Sequence, residues 1–426
     1  MKFSKVMIAG VVVLIILLVL LFGVKLKSND MISANHEYNI YAVNGTLPTL
    51  MIGMDLVDNC DVPSFVFYAR EGTLNDVVLS KINPQIVFSE YIGSYSSIKS
   101  DLPKEMAEYV KSILKVDPKA HFNLIVDEYR GWLEFPAFVE LGLSYDDYSV
   151  KYYSDGTLSY VTQYDILDDD SYDLFLDEQD LYNEIIKTIR NDKKQYEDFD
   201  YLINDKVGVT DGILDYEYDA NFILLATLRE NTEYFLQYPD LITFKDERVR
   251  DVMKNANLKK INVNDAFNEL SDSEKNNFFK LINFDKKSFD KKYFNSKNNK
   301  YLIITGTNPF YGNYNDSKFY AMINKIVGDY GNEYKIMYKP HPSALPNDSQ
   351  TKFFKDLDID VLPGKMPMEA ITFVYNDLKL GGFPSSLYMS ADSSATLFFF
   401  ADGKDKLVSP LNELYDELFK TVELMN

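Results

Sequence analysis

The chain has 426 residues, 46% of them hydrophobic and 15% aromatic, which supplies large cores and excludes a disordered chain. That length requires two domains. A net charge of −21 excludes nonspecific nucleic-acid binding, which needs a basic face, and the single cysteine, Cys60, excludes an internal disulfide or a cysteine-rich metal site.

Residues 6–24 carry no charge and are mostly Val, Leu and Ile, with Lys2 and Lys5 before them and Lys25 and Lys27 after. At about 1.5 Å per residue this nearly spans a bilayer core. No small-residue cleavage site follows, so the pattern predicts an uncleaved, single-pass transmembrane helix within residues 1–28. Lysines at both ends leave its orientation open. A polar tether over 29–37 comes next.

Beyond the tether, short apolar runs alternate with helical patterns. Strands are expected at 38–43, 64–68, 85–88, 121–126 and 150–153, with helices at 102–114 and 181–200. A second series starts near Tyr216. Its strands are expected at 222–225, 301–305, 335–338, 359–362 and 397–400, and its helices at 265–270, 273–281, 317–327 and 368–375. Strand–helix alternation predicts parallel sheets with helices on both faces: an α/β protein of two Rossmann-like domains facing a cleft. The expected division is 38–213 and 214–409. The Lys-, Asn- and Asp-rich stretch 254–299 reads as a solvated helical insertion, because acids interleave with its lysines.

Ligands in such sheets bind beyond the carboxyl ends of strands, and several marked residues fall there. Thr305-Gly306-Thr307 follows one strand and Lys339-Pro340-His341-Pro342 another. A histidine on a proline-stiffened turn beside a lysine suits a departing phosphate, or a plain turn bonded to a carbonyl. Ser385-Ser386 after Gly381-Gly382-Phe383-Pro384 reads as an anion site or an N-cap, and the two are compatible. Glu369, just past Pro367, reads as an acceptor for ribose hydroxyls or as a first-turn acid favoured by the helix dipole. Ser154-Asp155-Gly156 follows a strand; its aspartate can take a proton from an attacking hydroxyl, or belong to an Asp-Gly hairpin. Asp168-Asp169-Asp170 has the form of a metal-holding triplet but lies in polar, acidic surroundings typical of a solvated loop. No Walker loop, dinucleotide fingerprint or nucleophile elbow is present.

Together, Ser154-Asp155-Gly156, Lys339-Pro340-His341-Pro342 and Ser385-Ser386 resemble the three ordered motifs of the bacterial sialyltransferases of glycosyltransferase family 80: acidic-acidic-Gly, Lys-Gly-His-Pro and Ser-Ser. The strings LIITGTNPFYGN, GGFPSSLYMS and NGTLPTL are similar too. The resemblance spans most of residues 38–400. It implies a GT-B type fold and inverting transfer of sialic acid from CMP-sialic acid to a galactose-terminated glycan, with no metal or other cofactor. By position it implies Asp155 as general base and His341 as stabiliser or proton donor of the leaving phosphate. Ser385 and Ser386 would bind that phosphate. Lys339, Pro340, Thr305 and Gly306 would border the nucleotide, and Glu369 would hold its ribose. Phe310, Asp127, Arg130 and Thr46 fall toward the acceptor, and the segment 410–426 would be a helix packing back on the first domain. Ser154 departs from the first acid of its motif, Pro340 from glycine and Phe310 from a common tryptophan. Alternatives are a transferase of another nucleotide-activated acid sugar, a polysialyltransferase, or a non-catalytic membrane-tethered glycan-binding protein.

Overall fold

The computed structural model describes residues 33–43, 45–68, 74–88, 101–128, 133–139, 141–157, 159–160, 180, 223–224, 226–242, 247–295, 300–310, 312–375 and 377–425. The expected anchor over 6–24, the helix at 181–200, Arg130 and Asp168-Asp169-Asp170 lie outside them. Among the described residues, no helix is long and apolar enough to cross a membrane.

Two parallel sheets carry the fold. The first has seven strands, β1 (Glu37–Val43), β2 (Ser64–Tyr68), β3 (Ile86–Phe88), β4 (His121–Asp127), β5 (Tyr148–Tyr153), β6 (Thr232–Leu236) and β7 (Leu258–Lys260), in the order β3-β2-β1-β4-β5-β6-β7. The second has six, β8 (Lys300–Thr305), β9 (Tyr334–Lys339), β10 (Asp360–Val361), β11 (Lys379–Gly382), β12 (Thr396–Phe400) and β13 (Glu423–Met425), in the order β10-β9-β8-β11-β12-β13. Strands covered on both faces read as continuous apolar runs. Leu302, Ile303 and Ile304 of β8 are each fully buried, as are Ile40, Tyr41, Ala42 and Val43 of β1.

In each sheet the chain winds outward, returns to the middle and continues the other way. The turning points lie between β1 and β4 and between β8 and β11. Those are the positions where crevices open at the carboxyl edge of a doubly wound sheet. Register keeps the edges level: Ala42 pairs with Val126, Asp127 with Tyr153, and Thr305 with both Lys339 and Gly382.

Several expectations need correction. The sheets do not divide at 213/214, because β6 and β7 extend the first one. Within the strand expected at 222–225, Ile223 and Leu224 are helical and buried. Within the stretch 254–299, β7 is followed by three helices, α2 (Val263–Glu269), α3 (Asp272–Leu281) and α4 (Lys286–Tyr293), and these are not merely solvated. Phe267, Phe278, Leu281, Phe289 and Tyr293 turn an apolar face inward, and Phe278 packs on Gly53 of α1 (Thr46–Asp58). The segment 410–426, expected as a helix, also holds a strand. After a helix at Leu411–Leu418, β13 pairs with β12 at the edge of the second sheet. Tyr415 of that helix packs on Phe399 of the same sheet.

Candidate active site

In the first domain, Asp155 stands just past β5, on the turn Ser154–Gly156. Gly156 has φ +113°, a backbone that L side chains rarely adopt. The carboxylate lies against Gly45: a Cβ built there would stand 1.7 Å from Asp155 Oδ1. Gly45 precedes α1, a thirteen-residue helix with no capping side chain and no acid in its first turn. The positive end of the helix dipole therefore meets the Asp155 carboxylate. Gly45 is itself held by Asp127, whose Oδ2 accepts its N–H at 2.9 Å.

Behind the turn sits Glu128, 7% exposed. Its Oε2 accepts the Ser159 hydroxyl at 2.6 Å and the Asp155 N–H at 3.3 Å, and its Oε1 accepts the Tyr234 hydroxyl. Burial pushes its pKa up to about 7, against those hydrogen bonds; the neighbouring Asp127 charge adds to the rise.

In the second domain, three loops leave one sheet edge. The Gly306 N–H donates to Lys339 O at 2.8 Å and the Phe383 N–H to Thr305 O at 3.1 Å, which ties their starts together. His341 Nδ1 accepts the Ser343 N–H at 3.1 Å, so the neutral ring carries its proton on Nε2. Lys339 is 6% exposed and donates to the carbonyls of Pro340 at 3.0 Å and Gly364 at 2.9 Å. Desolvation lowers its ammonium to about 8, opposed by the nearby Glu369. Glu369 is 8% exposed in the first turn of the short helix Met368–Thr372. Ser385 and Ser386 are half-buried before Leu387–Ser390, and Ser386 makes no side-chain cap. The Ser385 carbonyl accepts the Tyr415 hydroxyl at 2.6 Å.

The two edges meet. A Cβ on Gly156 would stand 2.7 Å from Ser386 Cβ, so the aspartate turn of one domain touches the serine pair of the other. Beside that contact the Tyr238 hydroxyl donates to Met389 O at 3.1 Å, Asn264 Nδ2 to Ser390 O at 2.6 Å and the Ser390 hydroxyl to Gln237 Oε1 at 2.9 Å.

Of the expected ligand contacts, Lys339, Glu369, Phe310, Asp127 and Thr305 are buried. Phe310 packs among Phe319, Tyr338 and Phe354 and is a core residue beneath the site. Asp127 is fully buried and serves Gly45. The Thr305 hydroxyl is enclosed with the carbonyls of Gly381 and Phe383 and the Tyr388 hydroxyl. Thr46 begins α1 next to Gly45 and is half-buried. Gly45, Glu128, Ser159 and Tyr234 are parts of the site that sequence reasoning missed. The glycine ahead of an apolar helix and a second acid after Asp127 were the available signals. Among the described residues, no group of three or more His, Cys, Asp or Glu is placed to hold a metal ion.

No protein-family model and no curated protein sequence matches the chain. Solved structures do. An α/β-galactoside α-2,3-sialyltransferase from Photobacterium phosphoreum superposes with a TM-score of 0.64 at 18% identity, over 91% of this chain and 98% of that one. The chain has the fold of bacterial sialyltransferases. A sialyltransferase from Photobacterium damsela gives 0.65 at 17% identity, over 92% of this chain and 81% of that one. A Photobacterium 2,6-sialyltransferase, solved with CMP and lactose, gives 0.62 at 17%, over 91% and 78%.

Proposed function

We propose that the chain is a sialyltransferase that moves sialic acid from CMP-sialic acid to a hydroxyl of a terminal galactoside, with inversion. One observation carries the reading: the Asp155 turn and Ser386 are in contact across the cleft between two parallel-sheet domains. The shared fold supports it, as does the neighbour solved with CMP and lactose.

In this reading the acceptor oxygen attacks the anomeric carbon as the bond to phosphate breaks. Asp155 receives the acceptor's proton, and its place at the start of α1 suits an ionised base. Charge grows on the departing phosphate. Nε2–H of His341 and the hydroxyls of Ser385 and Ser386 donate to it, and such preorganised donors are often the largest catalytic term. Lys339 acts through the loop carbonyls it holds and through its positive charge, and Glu369 takes the ribose hydroxyls. Nothing in this mechanism uses a metal.

The test is incubation of the purified chain with CMP-sialic acid and lactose, with and without chelator. The expected result is CMP release matched mole for mole by sialyl-lactose, unchanged by chelator, with the linkage read by NMR. Lactose binding with no CMP release would favour a glycan-binding protein. Turnover only with another activated acid sugar, or only on an existing sialic acid chain, would move the assignment to that substrate.

A further inference from the structure

Glu128 is a buried carboxyl group that the proposed reaction does not use directly, yet the donors around it form a directed system. The Gly156 N–H donates to Ser154 Oγ at 3.2 Å, Ser154 Oγ to Ser159 Oγ at 3.0 Å, and Ser159 Oγ to Glu128 Oε2 at 2.6 Å. The Ser154 hydroxyl also has the Gly156 carbonyl in reach at 3.4 Å, farther than Ser159 Oγ, so the shorter series runs on through Ser159 and calls for a terminal acceptor that needs no donor of its own. A carboxyl oxygen meets that need. A second arm is shorter: the Asp155 N–H donates to the same Oε2 at 3.3 Å. The Tyr234 hydroxyl from β6 holds the other oxygen. Both peptide N–H groups that flank the Asp155 side chain are thereby tied to a single group on the end of β4.

We propose that Glu128 is a positioning residue for Asp155, the shared acceptor on which the donors of the 154–156 turn converge. The role rests on the reading of Asp155 as base. It explains how Ser154, which is 3% exposed, serves the turn: its hydroxyl passes the hold of Glu128 to Gly156. It also separates the two acids at the end of β4. Asp127 fixes Gly45, the surface on which the Asp155 carboxylate rests, and Glu128 fixes the backbone from which that carboxylate projects.

The experiment compares full-length wild type with Glu128→Ala, Glu128→Gln, Ser159→Ala and Asp155→Ala. The readouts are kcat and KM for lactose with CMP-sialic acid, and CMP affinity by calorimetry. Glutamine retains an oxygen acceptor at the same reach, and alanine removes it. Expected are a kcat lower by about tenfold or more in Glu128→Ala, about threefold or more in Ser159→Ala, and within about threefold of wild type in Glu128→Gln. CMP affinity should stay within about twofold throughout, because the nucleotide's partners lie in the other domain. The proposal is overturned by an unchanged kcat in Glu128→Ala, by equal damage in Glu128→Gln, or by parallel loss of CMP affinity, which marks a general structural role. Should Glu128→Ala not fold, Ser159→Ala and Glu128→Gln decide. If Asp155→Ala transfers as fast as wild type, the reading of the base fails, and the positioning role goes with it.

Discussion

At the scale of single residues, the space beside Asp155 is as telling as the carboxylate itself. Gly45 gives that space, since any side chain there overlaps the carboxylate. Gly45→Ala should therefore lower kcat by about tenfold or more while the protein still melts cooperatively; a kcat equal to wild type would show that the carboxylate is not held there. Glu128 makes a second prediction, about pH. Its pKa, pushed up to about 7 in the folded protein, lies above the ordinary value of 4.5, so the folded state keeps a proton that the unfolded chain releases. The group's contribution is complete at low pH and is lost as pH rises from about 4.5 through about 7. Relative to wild type, Glu128→Gln should gain on the order of 2–3 kcal/mol between pH 5 and pH 8, measured by urea unfolding. A constant difference between the two proteins would mean that Glu128 titrates normally. The second acid after Asp127 was the local signal of this group, and nothing near it in the chain marked its burial. Its burial depends on Tyr234, which is distant in the chain and close only once β4, β5 and β6 are paired. Phe310 was as hard to read, because an aromatic near a strand end has the same pattern whether it faces a sugar or packs on rings such as Tyr338.

At the scale of elements, legibility followed the apolar run. Ser64–Tyr68 and His121–Asp127 stand out as strands because parallel strands are buried on both faces. The carboxyl ends of β8 and β9 were legible for the same reason, and with them the loops carrying Gly306 and His341. The strand β11 was not, since Lys-Leu-Gly-Gly has no strand pattern and glycine is depleted in strands. Its glycines answer to neighbours instead. A Cβ on Gly381 would stand 2.5 Å from the Phe398 ring on β12, where the register between the two strands shifts. Gly381→Ala should destabilise the protein by about 1–3 kcal/mol through overpacking, read as a lower urea midpoint at unchanged slope. An unchanged midpoint would mean that β11 and β12 are not packed so closely. The strand β6 was missed because its half-buried alternation at Thr232–Leu236 follows a stretch that read as the start of the next domain.

At the scale of the whole molecule, two sheets with the same winding present their turning points to one cleft. The alternation of strands and helices made that architecture legible, and the three motifs marked loops at the carboxyl edges of the two sheets. Neither told how the halves are joined. The join has a polar part, running through Tyr238, Gln237 and Asn264 on one side and Met389 and Ser390 on the other beside the Gly156–Ser386 contact, and an aromatic part in which Phe267 stacks on Phe373 and Phe294 on Tyr375. The net charge of −21 also acts at this scale. A donor with negative charge must enter an acidic molecule, so raising salt from low ionic strength should lower KM for CMP-sialic acid by weakening long-range repulsion. A KM that rises with salt would instead indicate a dominant positive field at the cleft.

The central claim is that one cleft sets Asp155 against the acceptor and His341 against the leaving phosphate. The most direct measurement is steady-state sialyl transfer from CMP-sialic acid to lactose by wild type, Asp155→Ala and His341→Ala, with folding checked by circular dichroism. Each variant is expected to keep its fold and lose about 10²-fold or more in kcat. Folded variants that transfer at the wild-type rate would contradict the account.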